Sequence, residues 1–446
     1  MSRKFFGTDG VRGRANSYPM TADFCLQLGA AAGSYFRRAN KKSHRVVIGK
    51  DTRLSGYMFE NALTAGLTSS GMNVLLLGPV PTPAVGLLTN SMRADLGIMI
   101  SASHNEHSDN GIKFFGPDGY KLSDSVELEI EALVSKGIGY VSPEDIGRAK
   151  RIDDGRYRYI ERVKSSFPNQ MRLDGLKVVI DCANGAGYKA APEVLWELGA
   201  EVIPVGVSPD GRNINLECGS TSPTVAAETV VAHGADLAIC LDGDADRVLI
   251  IDEYGRPIDG DQFLGMIGSR WFKNGNLVEN TLVSTVMSNM RLEAFLKQEG
   301  IKLVRTSVGD RYVVERMRLN GFNLGGEKSG HVVMMDYATT GDGLMAGLQF
   351  LAEMVRTNEV ASVVGRPFDL APQKTENITY AGDKNPLDHP SIKKIISESE
   401  KKISGFGRLL VRKSGTEKLI RIMVEAEDAS GIDATMSPVV AAIKEL

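Results

Sequence analysis

The segment Leu237-Ala238-Ile239-Cys240-Leu241-Asp242-Gly243-Asp244-Ala245-Asp246-Arg247 joins a short apolar run to a loop with three carboxylates at alternate positions. A second apolar run, Val248-Leu249-Ile250-Ile251, follows immediately. Short apolar runs bounded by small and polar residues are typical of strands. Three crowded carboxylates repel one another unless a cation neutralises them, and Mg²⁺ prefers oxygen ligands of this kind. The segment therefore predicts a metal loop between two strands.

The acidic loop has other interpretations, of which a solvated turn between strands is the plainest. In a calcium-binding EF-hand, Asp242, Asp244 and Asp246 would fill loop positions one, three and five. Position six requires glycine but holds Arg247, and the expected flanking elements are strands rather than helices. An aspartyl-phosphate phosphatase also places an Asp-x-Asp pair after a strand, but that interpretation leaves a second polar segment unexplained.

The second polar segment follows the apolar run Leu96-Gly97-Ile98-Met99-Ile100 and contains Ser103. Further polar or small residues accompany the serine, namely His104, Asn105, Asp109, Asn110, Gly111 and Lys113. Loops at the carboxyl ends of strands are where α/β proteins place ligands, and a hydroxyl there can carry a phosphate. A helix N-cap or turn role for Ser103 is the common alternative. A Ser-His-Asp hydrolase is not indicated, because His104 is the sequence neighbour of Ser103 and no Gly-x-Ser-x-Gly elbow exists.

Two later segments carry groups suited to sugar and phosphate. Gly325-Gly326-Glu327-Lys328-Ser329-Gly330-His331 offers a carboxylate, donors and an imidazole beside glycines. Arg412-Lys413-Ser414-Gly415-Thr416-Glu417, followed by Arg421, combines guanidinium groups, hydroxyls and a glycine turn, which are the parts of an anion-binding nest. Taken singly, each segment is also compatible with an ordinary surface turn.

Length and composition indicate an enzyme of several domains. At 446 residues the chain should form two to four domains, and a net charge of −3 gives no basic surface for nucleic acid or membrane. The chain contains no run of eighteen apolar residues, so no transmembrane helix is expected. The charged, glycine-rich N-terminus does not resemble a signal peptide. The four cysteines lack Cys-x-x-Cys spacing, so buried free thiols in a reducing cytoplasm are expected.

Alternating apolar runs and amphipathic helices predict an α/β fold. A first helix should have Thr21 as N-cap, present Phe24, Leu28 and Ala31 on one face, and end near Arg37-Arg38. Strands are expected at 45–49, 73–77 and 96–100. β-branched and Leu-rich triplets at 46–48, 178–180 and 282–284 each precede a polar loop, a weak repeat that suggests three related α/β units. The last segment, from about residue 371, is expected to form a small α+β unit.

Taken in order, these motifs resemble the α-D-phosphohexomutase superfamily over the whole chain. That family has an N-terminal arginine, a phosphoserine loop, an acidic metal loop, a sugar loop and a C-terminal phosphate loop. The matching positions here are Arg12, Ser103, Asp242 with Asp244 and Asp246, residues 327–331 and residues 412–417. Residues 6–13 and 100–105 are most similar to the branch of the family that acts on glucosamine phosphates.

The resemblance implies a fold and a reaction. Three related mixed α/β domains and a smaller C-terminal α+β domain would surround a central cleft, at 1–153, 154–254, 255–367 and 368–446. The enzyme would be an isomerase that interconverts glucosamine 6-phosphate and glucosamine 1-phosphate through phosphorylated Ser103 and a sugar 1,6-bisphosphate. Its product would feed UDP-N-acetylglucosamine and cell-wall synthesis. A phosphomannomutase/phosphoglucomutase, a metal-dependent sugar phosphatase and a non-catalytic sugar-phosphate sensor are the alternatives.

The resemblance also implies roles for individual residues. One Mg²⁺ would be held by Asp242, Asp244, Asp246 and an oxygen of phosphorylated Ser103. The residues expected around the transferring phosphoryl group are Arg12, His104, Lys113, Arg247 and His331, with Lys113 or His331 in proton transfer. The residues expected to bind the sugar phosphate are Glu327, Ser329, Arg412, Ser414, Gly415, Thr416 and Arg421. A small-molecule substrate, no nucleic-acid or membrane partner, a possible homodimer and a cytoplasmic location complete the expectation.

The chain departs from the family pattern near two of these loops. Glu106, His107 and Ser108 stand where the serine loop usually continues with proline and aromatic residues. Lys413 and Lys418 stand where prolines are common in the phosphate loop. Both loops are therefore expected to be less stiff than is usual, and the Glu106 carboxylate is expected to affect metal or phosphate affinity.

Overall fold

The structure is a computed structural model, which describes residues 4–7, 9–37, 43–137, 140–380, 385–413 and 418–445. Its first eleven strands are β1 (Val11–Arg14), β2 (His44–Lys50), β3 (Met72–Pro79), β4 (Leu96–Ile100), β5 (Asp109–Phe115), β6 (Ala149–Arg151), β7 (Lys177–Asp181), β8 (Glu201–Val205), β9 (Leu237–Leu241), β10 (Val248–Asp252) and β11 (Pro257–Ile258). The later strands are β12 (Thr281–Thr285), β13 (Lys302–Thr306), β14 (Leu324–Gly326), β15 (Val332–Met334), β16 (Gln373–Thr379), β17 (Gly407–Lys413) and β18 (Leu419–Ala426).

The α-helices alternate with these strands through most of the described chain. The first seven are α1 (Ala22–Arg37), α2 (Ser55–Ser69), α3 (Thr82–Ser91), α4 (Asp124–Lys136), α5 (Gly155–Lys164), α6 (Ala190–Glu197) and α7 (Thr224–His233). The later ones are α8 (Gly260–Lys273), α9 (Met290–Gln298), α10 (Asp310–Asn320), α11 (Gly343–Thr357), α12 (Ala361–Val364), α13 (Pro390–Ile403) and α14 (Ile432–Lys444). The prediction of a first helix after Thr21 is confirmed, and its Phe24, Leu28 and Ala31 are buried as one apolar face.

The strands of the described residues form four sheets. The first has the order β1-β5-β4-β2-β3-β6, in which β2, β3, β4 and β6 run parallel and β1 and β5 lie antiparallel at one side. The second has the order β11-β10-β9-β7-β8, and the third the order β13-β12-β14-β15. The fourth, β16-β18-β17, is antiparallel throughout. The predicted mixed α/β fold with a smaller α+β part is confirmed.

Two central strands lead directly into the two loops of the candidate site. Every residue of β4 and of β9 is buried, which is why both read as continuous apolar runs rather than as alternating patterns. β4 ends at Ile100 and leads into the serine loop, while β9 ends at Leu241 and leads into the acidic loop. Both loops thus leave the carboxyl ends of strands that have parallel neighbours, where α/β folds place ligands.

The chain divides into two compact units. The first comprises Met1–Val286 and Val304–Pro367, and the second comprises Met287–Leu303 and Phe368–Leu446. In the first unit, apolar residues of the β1–β6 sheet pack against α1 and α2. In the second, Ile420, Ile422 and Val424 of β18 pack against α14. The division into four domains stays a prediction.

Two further expectations concern apolar residues and cysteines. Within the described ranges, no helix combines the length and the apolar character that crossing a bilayer requires. Cys25, Cys182, Cys218 and Cys240 are buried free thiols, as predicted. Burial raises the pKa of Cys25 to about 12 and that of Cys218 to about 11, so these thiols are protonated and unreactive at neutral pH.

Candidate active site

The acidic loop between β9 and β10 buries three carboxylates together. Asp242 and Asp244 are 0% exposed and Asp246 is 3% exposed, and one oxygen from each lies within 4.8 Å of the others. Burial, followed by the charges of Asp246 and Asp244, raises the pKa of Asp242 to about 8. Like charges at this spacing are costly in a buried site. The loop therefore needs positive charge close by.

The donor atoms of this triplet fit a hard metal cation. Asp244 Oδ1 and Asp246 Oδ1 are buried and have no hydrogen-bond partner within the described residues. A buried carboxylate oxygen without a hydrogen bond is disfavoured, and Asp246 Oδ1 has only the longer ion-pair contacts with Arg247 at 3.8 Å and His331 at 3.7 Å among the described residues. All three side chains offer oxygen, the donor that Mg²⁺, Mn²⁺ and Ca²⁺ prefer over nitrogen or sulfur. The cluster can therefore bind a divalent metal.

Ser103 lies directly against the acidic triplet. Its hydroxyl donates to Asp242 Oδ2 at 2.5 Å, across 139 positions of sequence, and the residue is only 1% exposed. Its backbone has a φ of +52°, in the left-handed region that residues other than glycine rarely adopt. The structure thus brings together the two segments that the sequence singled out.

Lys113 projects from β5 into the carboxylates. Its Nζ lies 2.7 Å from Asp244 Oδ2, 3.5 Å from Asp246 Oδ2 and 3.3 Å from Asp9 Oδ2. Burial lowers the pKa of Lys113, but the charges of Asp244, Asp9 and Asp246 outweigh it and hold that pKa above its usual value. Lys113 is therefore a charged donor at neutral pH rather than a free base.

Two arginines and a histidine are the other residues that the sequence predicts around the phosphoryl group. Arg12 pairs with Asp9, and Arg247 Nε lies 3.8 Å from Asp246 Oδ1. Burial, then the charges of Arg247 and Arg12, lowers the pKa of His104 to about 4, so this imidazole is neutral at neutral pH. Neighbouring guanidinium groups repel one another unless an anion lies between them, and they match phosphate geometry well.

The sugar-loop residues divide between the interior and the surface. His331 is buried beside the triplet, with Nδ1 3.7 Å from Asp246 Oδ1 and Nε2 3.6 Å from Asp310 Oδ2. Its Nε2 accepts the Gly341 N–H at 3.2 Å, so Nδ1 carries the proton that faces Asp246. Burial lowers the pKa of His331, but Asp246 and Asp310 outweigh it and raise that pKa.

The other two predicted residues of the sugar loop lie in different surroundings. Glu327 is half-buried, and its Oε1 accepts the Gly309 N–H at 3.1 Å. Burial is the main cause that raises the pKa of Glu327. Ser329 is exposed. Glu106, whose carboxylate was expected to influence the site, is also exposed.

The predicted phosphate loop belongs to the second compact unit. Arg412 of β17 and Arg421 of β18 are direct cross-strand partners, and Arg421 Nε donates to Asn377 Oδ1 at 2.9 Å. Ser414, Gly415 and Thr416 lie outside the described residues. The register thus brings two guanidinium-bearing residues side by side next to that loop.

Sequence reasoning missed several residues that contact the site. Lys121 Nζ donates to both Asp9 Oδ1 and Asp310 Oδ2, and Thr82 Oγ1 donates to Asp244 Oδ2 at 2.5 Å. Asp9 stands in the N-terminal motif, which gave a signal for Arg12 only. Lys121, Asp310 and Thr82 belong to none of the motifs that the sequence singled out.

The chain matches the phosphoglucomutase/phosphomannomutase families along nearly its whole length. The matches are α/β/α domain I at residues 3–139, domain II at 157–255, domain III at 259–368 and the C-terminal domain at 376–441. The chain belongs to this family. The predicted superfamily membership is confirmed.

Curated relatives and solved structures agree with this membership. A phosphoglucosamine mutase from a Ruegeria species is 67% identical and covers 99% of both chains, and one from Cereibacter sphaeroides is 66% identical over the full length of both. A family protein from Burkholderia thailandensis has the same fold, with a TM-score of 0.83 at 22% identity and 100% and 98% coverage. Aspergillus fumigatus N-acetylphosphoglucosamine mutase gives a TM-score of 0.68 at 17% identity and 100% and 96% coverage. The predicted similarity to phosphoglucosamine mutases and the predicted enzyme class, a phosphate-shifting isomerase, are confirmed.

Proposed function

We propose that the protein interconverts glucosamine 6-phosphate and glucosamine 1-phosphate through phosphorylated Ser103 and a sugar 1,6-bisphosphate. The observation that carries this proposal is the 2.5 Å contact between the Ser103 hydroxyl and Asp242 inside a buried acidic triplet. The choice of glucosamine phosphates rests on relatives of 64–67% identity that are phosphoglucosamine mutases. The product would enter the supply of UDP-N-acetylglucosamine for the cell wall.

The proposed cycle balances over two transfers. In the first, the P–O bond at Ser103 breaks as a P–O bond forms to the free sugar hydroxyl, and the proton of that hydroxyl ends on Ser103. In the second, the other phosphate of the bisphosphate returns to Ser103, and the proton moves back to the sugar oxygen. The monophosphate leaves with its phosphate on the other carbon, and the enzyme is again phosphorylated.

The chain's own charges are suited to this transfer. The half-buried Arg12 and Arg247 pair with Asp9 and Asp246 of the same charged cluster, and we assign their guanidinium groups to the equatorial oxygens of the moving phosphoryl group. Lys113 and His331 both hold protons in this arrangement, so we assign them as fixed donors that orient the carboxylates. Asp242, Asp244, Asp246 and a phosphoserine oxygen would hold one Mg²⁺, which would offset charge on the transferring group.

The remaining assignments extend the same proposal. Glu327 and Ser329 would contact the sugar, and Arg412, Ser414, Gly415, Thr416 and Arg421 would bind a phosphate. The protein would act in the cytoplasm on a small-molecule substrate, without a nucleic-acid or membrane partner and possibly as a homodimer. Its chain would divide into domains at 1–153, 154–254, 255–367 and 368–446. Support for the substrate class includes the Aspergillus relative, whose solved complex contains GlcNAc-6P and magnesium.

A coupled assay tests the proposal. Purified enzyme is given glucosamine 6-phosphate, glucose 1-phosphate or mannose 1-phosphate, with and without a 1,6-bisphosphate activator, and released inorganic phosphate is measured in parallel. Glucosamine 6-phosphate should give the highest kcat/KM, and no free phosphate should accumulate. Preference for a glucose or mannose phosphate would identify another branch of the family, and stoichiometric phosphate release would identify a phosphatase.

Replacement of the proposed phosphate carrier tests the covalent mechanism. Ser103→Ala should abolish turnover and remove one phosphate from the intact mass. Ser166 is a suitable control, because it is also buried, at 4% exposure, and its hydroxyl bonds within its own helical turn to Val163 O. Ser166→Ala should keep both the activity and the phosphate. Full activity in Ser103→Ala would rule out a phosphoserine intermediate.

A further inference from the structure

The polar segment Lys50-Asp51-Thr52-Arg53 has no part in the proposed reaction, yet its last residue contacts the serine loop. It begins with the last residue of β2, the parallel neighbour of β4, and the Asp51 N–H donates to Ile100 O at the end of β4. Arg53 is 0% exposed. A fully buried guanidinium is rare unless it is paired and hydrogen-bonded. The partners of Arg53 should therefore explain why it is buried.

The guanidinium of Arg53 bonds to the backbone of the serine loop. Its Nη2 donates to Ser103 O at 3.0 Å and to Asn105 O at 2.9 Å, and its Nη1 donates to Glu106 O at 3.0 Å. On its other side, Nε lies 3.0 Å from Asp51 Oδ2. One side chain thus fixes three carbonyls within four consecutive residues.

A second side chain holds the same carbonyls from another direction. Asn215 Nδ2 donates to Ser103 O and to Asn105 O, both at 2.9 Å. The Ser103 N–H donates to Ser101 Oγ at 2.9 Å. The peptide groups on both sides of Ser103 are therefore held by side-chain partners.

These contacts matter because the backbone at Ser103 is strained. A φ of +52° is unfavourable for serine, and such a conformation persists only when its surroundings over-determine it. The same conformation aims the hydroxyl at Asp242 Oδ2. If the three carbonyls were released, the loop could relax and the hydroxyl would move away from the acidic triplet.

We propose that Arg53 is a positioning residue for phosphoryl transfer, because its guanidinium fixes the serine-loop carbonyls and thereby the place of Ser103 Oγ beside the acidic triplet. The inference rests on the proposed function of Ser103 as phosphate carrier. Lysine cannot replace Arg53, since a single ammonium nitrogen cannot reach three carbonyls and Asp51 at once, whereas a planar fork can.

The test is Arg53→Lys, with Arg270→Lys as its matched control. Arg270 is also buried, at 8% exposure, donates to the backbone carbonyl of Gln349 at 2.7 Å, and lies 3.6 Å from Glu353 Oε2. For each variant, kcat and KM are measured in both directions, and phosphate on Ser103 is quantified by intact mass. We expect Arg53→Lys to lower kcat on the order of 10–100-fold with KM nearly unchanged, since a displaced reacting group affects the transition state most. Arg270→Lys should keep the kcat of wild type per folded molecule.

A second variant keeps the proposal falsifiable if Arg53→Lys does not fold. Asn215 has a φ of +59°, so Asn215→Gly retains the backbone freedom that this position needs while it removes two of the bonds to the loop. It should also lower kcat more than it changes KM. A folded Arg53→Lys with the kcat of wild type, or an Asn215→Gly with unchanged kcat when Arg53→Lys is unfolded, would overturn the positioning role. Absence of mutase activity and of phosphoserine in wild type would instead overturn the proposed function.

Discussion

Replacing Lys113 by methionine removes one positive charge from the centre of the candidate active site and keeps a side chain of similar length. The Lys113 ammonium lies within 3.5 Å of carboxylate oxygens of Asp9, Asp244 and Asp246, and the residue is 1% exposed. Methionine fills nearly the same volume, so a cavity contributes little to the expected loss. The effect on stability should therefore be electrostatic.

The expected loss of stability follows from the partners that remain. Removing one member of a buried ion pair costs about 3–5 kcal/mol, because the other charge stays buried and unpaired. Asp9 retains Lys121 and Arg12, and Asp246 retains its contacts with Arg247 and His331. Asp244 retains the Thr82 hydroxyl as a donor. We therefore expect the loss to fall mainly on Asp244 and to stay within that range.

A divalent cation should restore part of this stability. A cation at the triplet supplies positive charge to the same carboxylates, and the loss of Lys113 leaves them more negative, so metal affinity should rise. A ligand that binds only the folded state stabilises it by about 2.7 kcal/mol at 100 times its Kd. The stabilisation by Mg²⁺ should therefore be larger in Lys113→Met than in wild type, while kcat falls because an oriented donor has been lost.

The measurement is urea unfolding in EDTA and in Mg²⁺, with metal affinity from calorimetry. Lys50→Met is the matched control, because Lys50 is 2% exposed and pairs with Glu60 at 2.6 Å. Lys50→Met should lose the same free energy of unfolding in EDTA as in Mg²⁺, and its metal affinity should equal that of wild type. Equal Mg²⁺ responses of Lys113→Met and Lys50→Met would refute the argument that Lys113 and the metal neutralise the same carboxylates.

Three further predictions follow from other contacts. A Cβ on Gly243 would lie 2.6 Å from Ser103 O, whereas a Cβ on Gly56 would meet nothing closer than 3.5 Å. Gly243→Ala should therefore lower the free energy of unfolding in urea by about 1–3 kcal/mol and lower kcat. A Gly243→Ala enzyme as active as the Gly56→Ala control would contradict this. Burial raises the pKa of Asp342 to about 6, so its contribution to the free energy of unfolding should fall by about 3 kcal/mol as the pH rises from about 4 to about 6. Asp342→Asn should remove that fall. Identical pH profiles of urea unfolding for wild type and Asp342→Asn would count against this prediction. Under the proposed function, Arg421→Ala should weaken binding of both sugar monophosphates equally, by about 1.5–3 kcal/mol, and calorimetry that shows a defect for only one of them would reject the shared role.

Much of the fold could be predicted because its central strands carry strong local signals. The apolar run 96–100 coincides with β4, and the predicted strand 45–49 lies within the observed His44–Lys50. The acidic loop was recognisable because three carboxylates in five residues have few structural explanations. The rule that α/β folds place ligands at the carboxyl ends of strands marked the loop of Ser103 as a ligand-binding loop. Its contact with the acidic loop could not be derived in this way, since β4 and β9 belong to different sheets.

The residues that the sequence could not reveal act singly and over long distances. Lys121 reaches Asp9 and Asp310 from positions 112 and 189 residues away, and no periodicity relates such positions. Arg53 is hidden for a different reason. It recognises backbone carbonyls, which every residue possesses, so its partners leave no trace in side-chain identity.

The arrangement of charges explains how an acidic cluster can stay folded and still bind a cation. Lys113 is shared among Asp9, Asp244 and Asp246 and offsets part of their mutual repulsion. Arg12 pairs with Asp9 and Arg247 lies beside Asp246, so both add positive charge to the same cluster. Within the described ranges, Asp244 Oδ1 has no hydrogen-bond partner, and Asp246 Oδ1 has ion-pair contacts with His331 and Arg247 at 3.7 and 3.8 Å but no hydrogen bond, so these oxygens remain open to a cation. A site of this kind can stay folded without a metal and would gain free energy if a metal bound, which is the behaviour that the proposed metal-dependent enzyme would require.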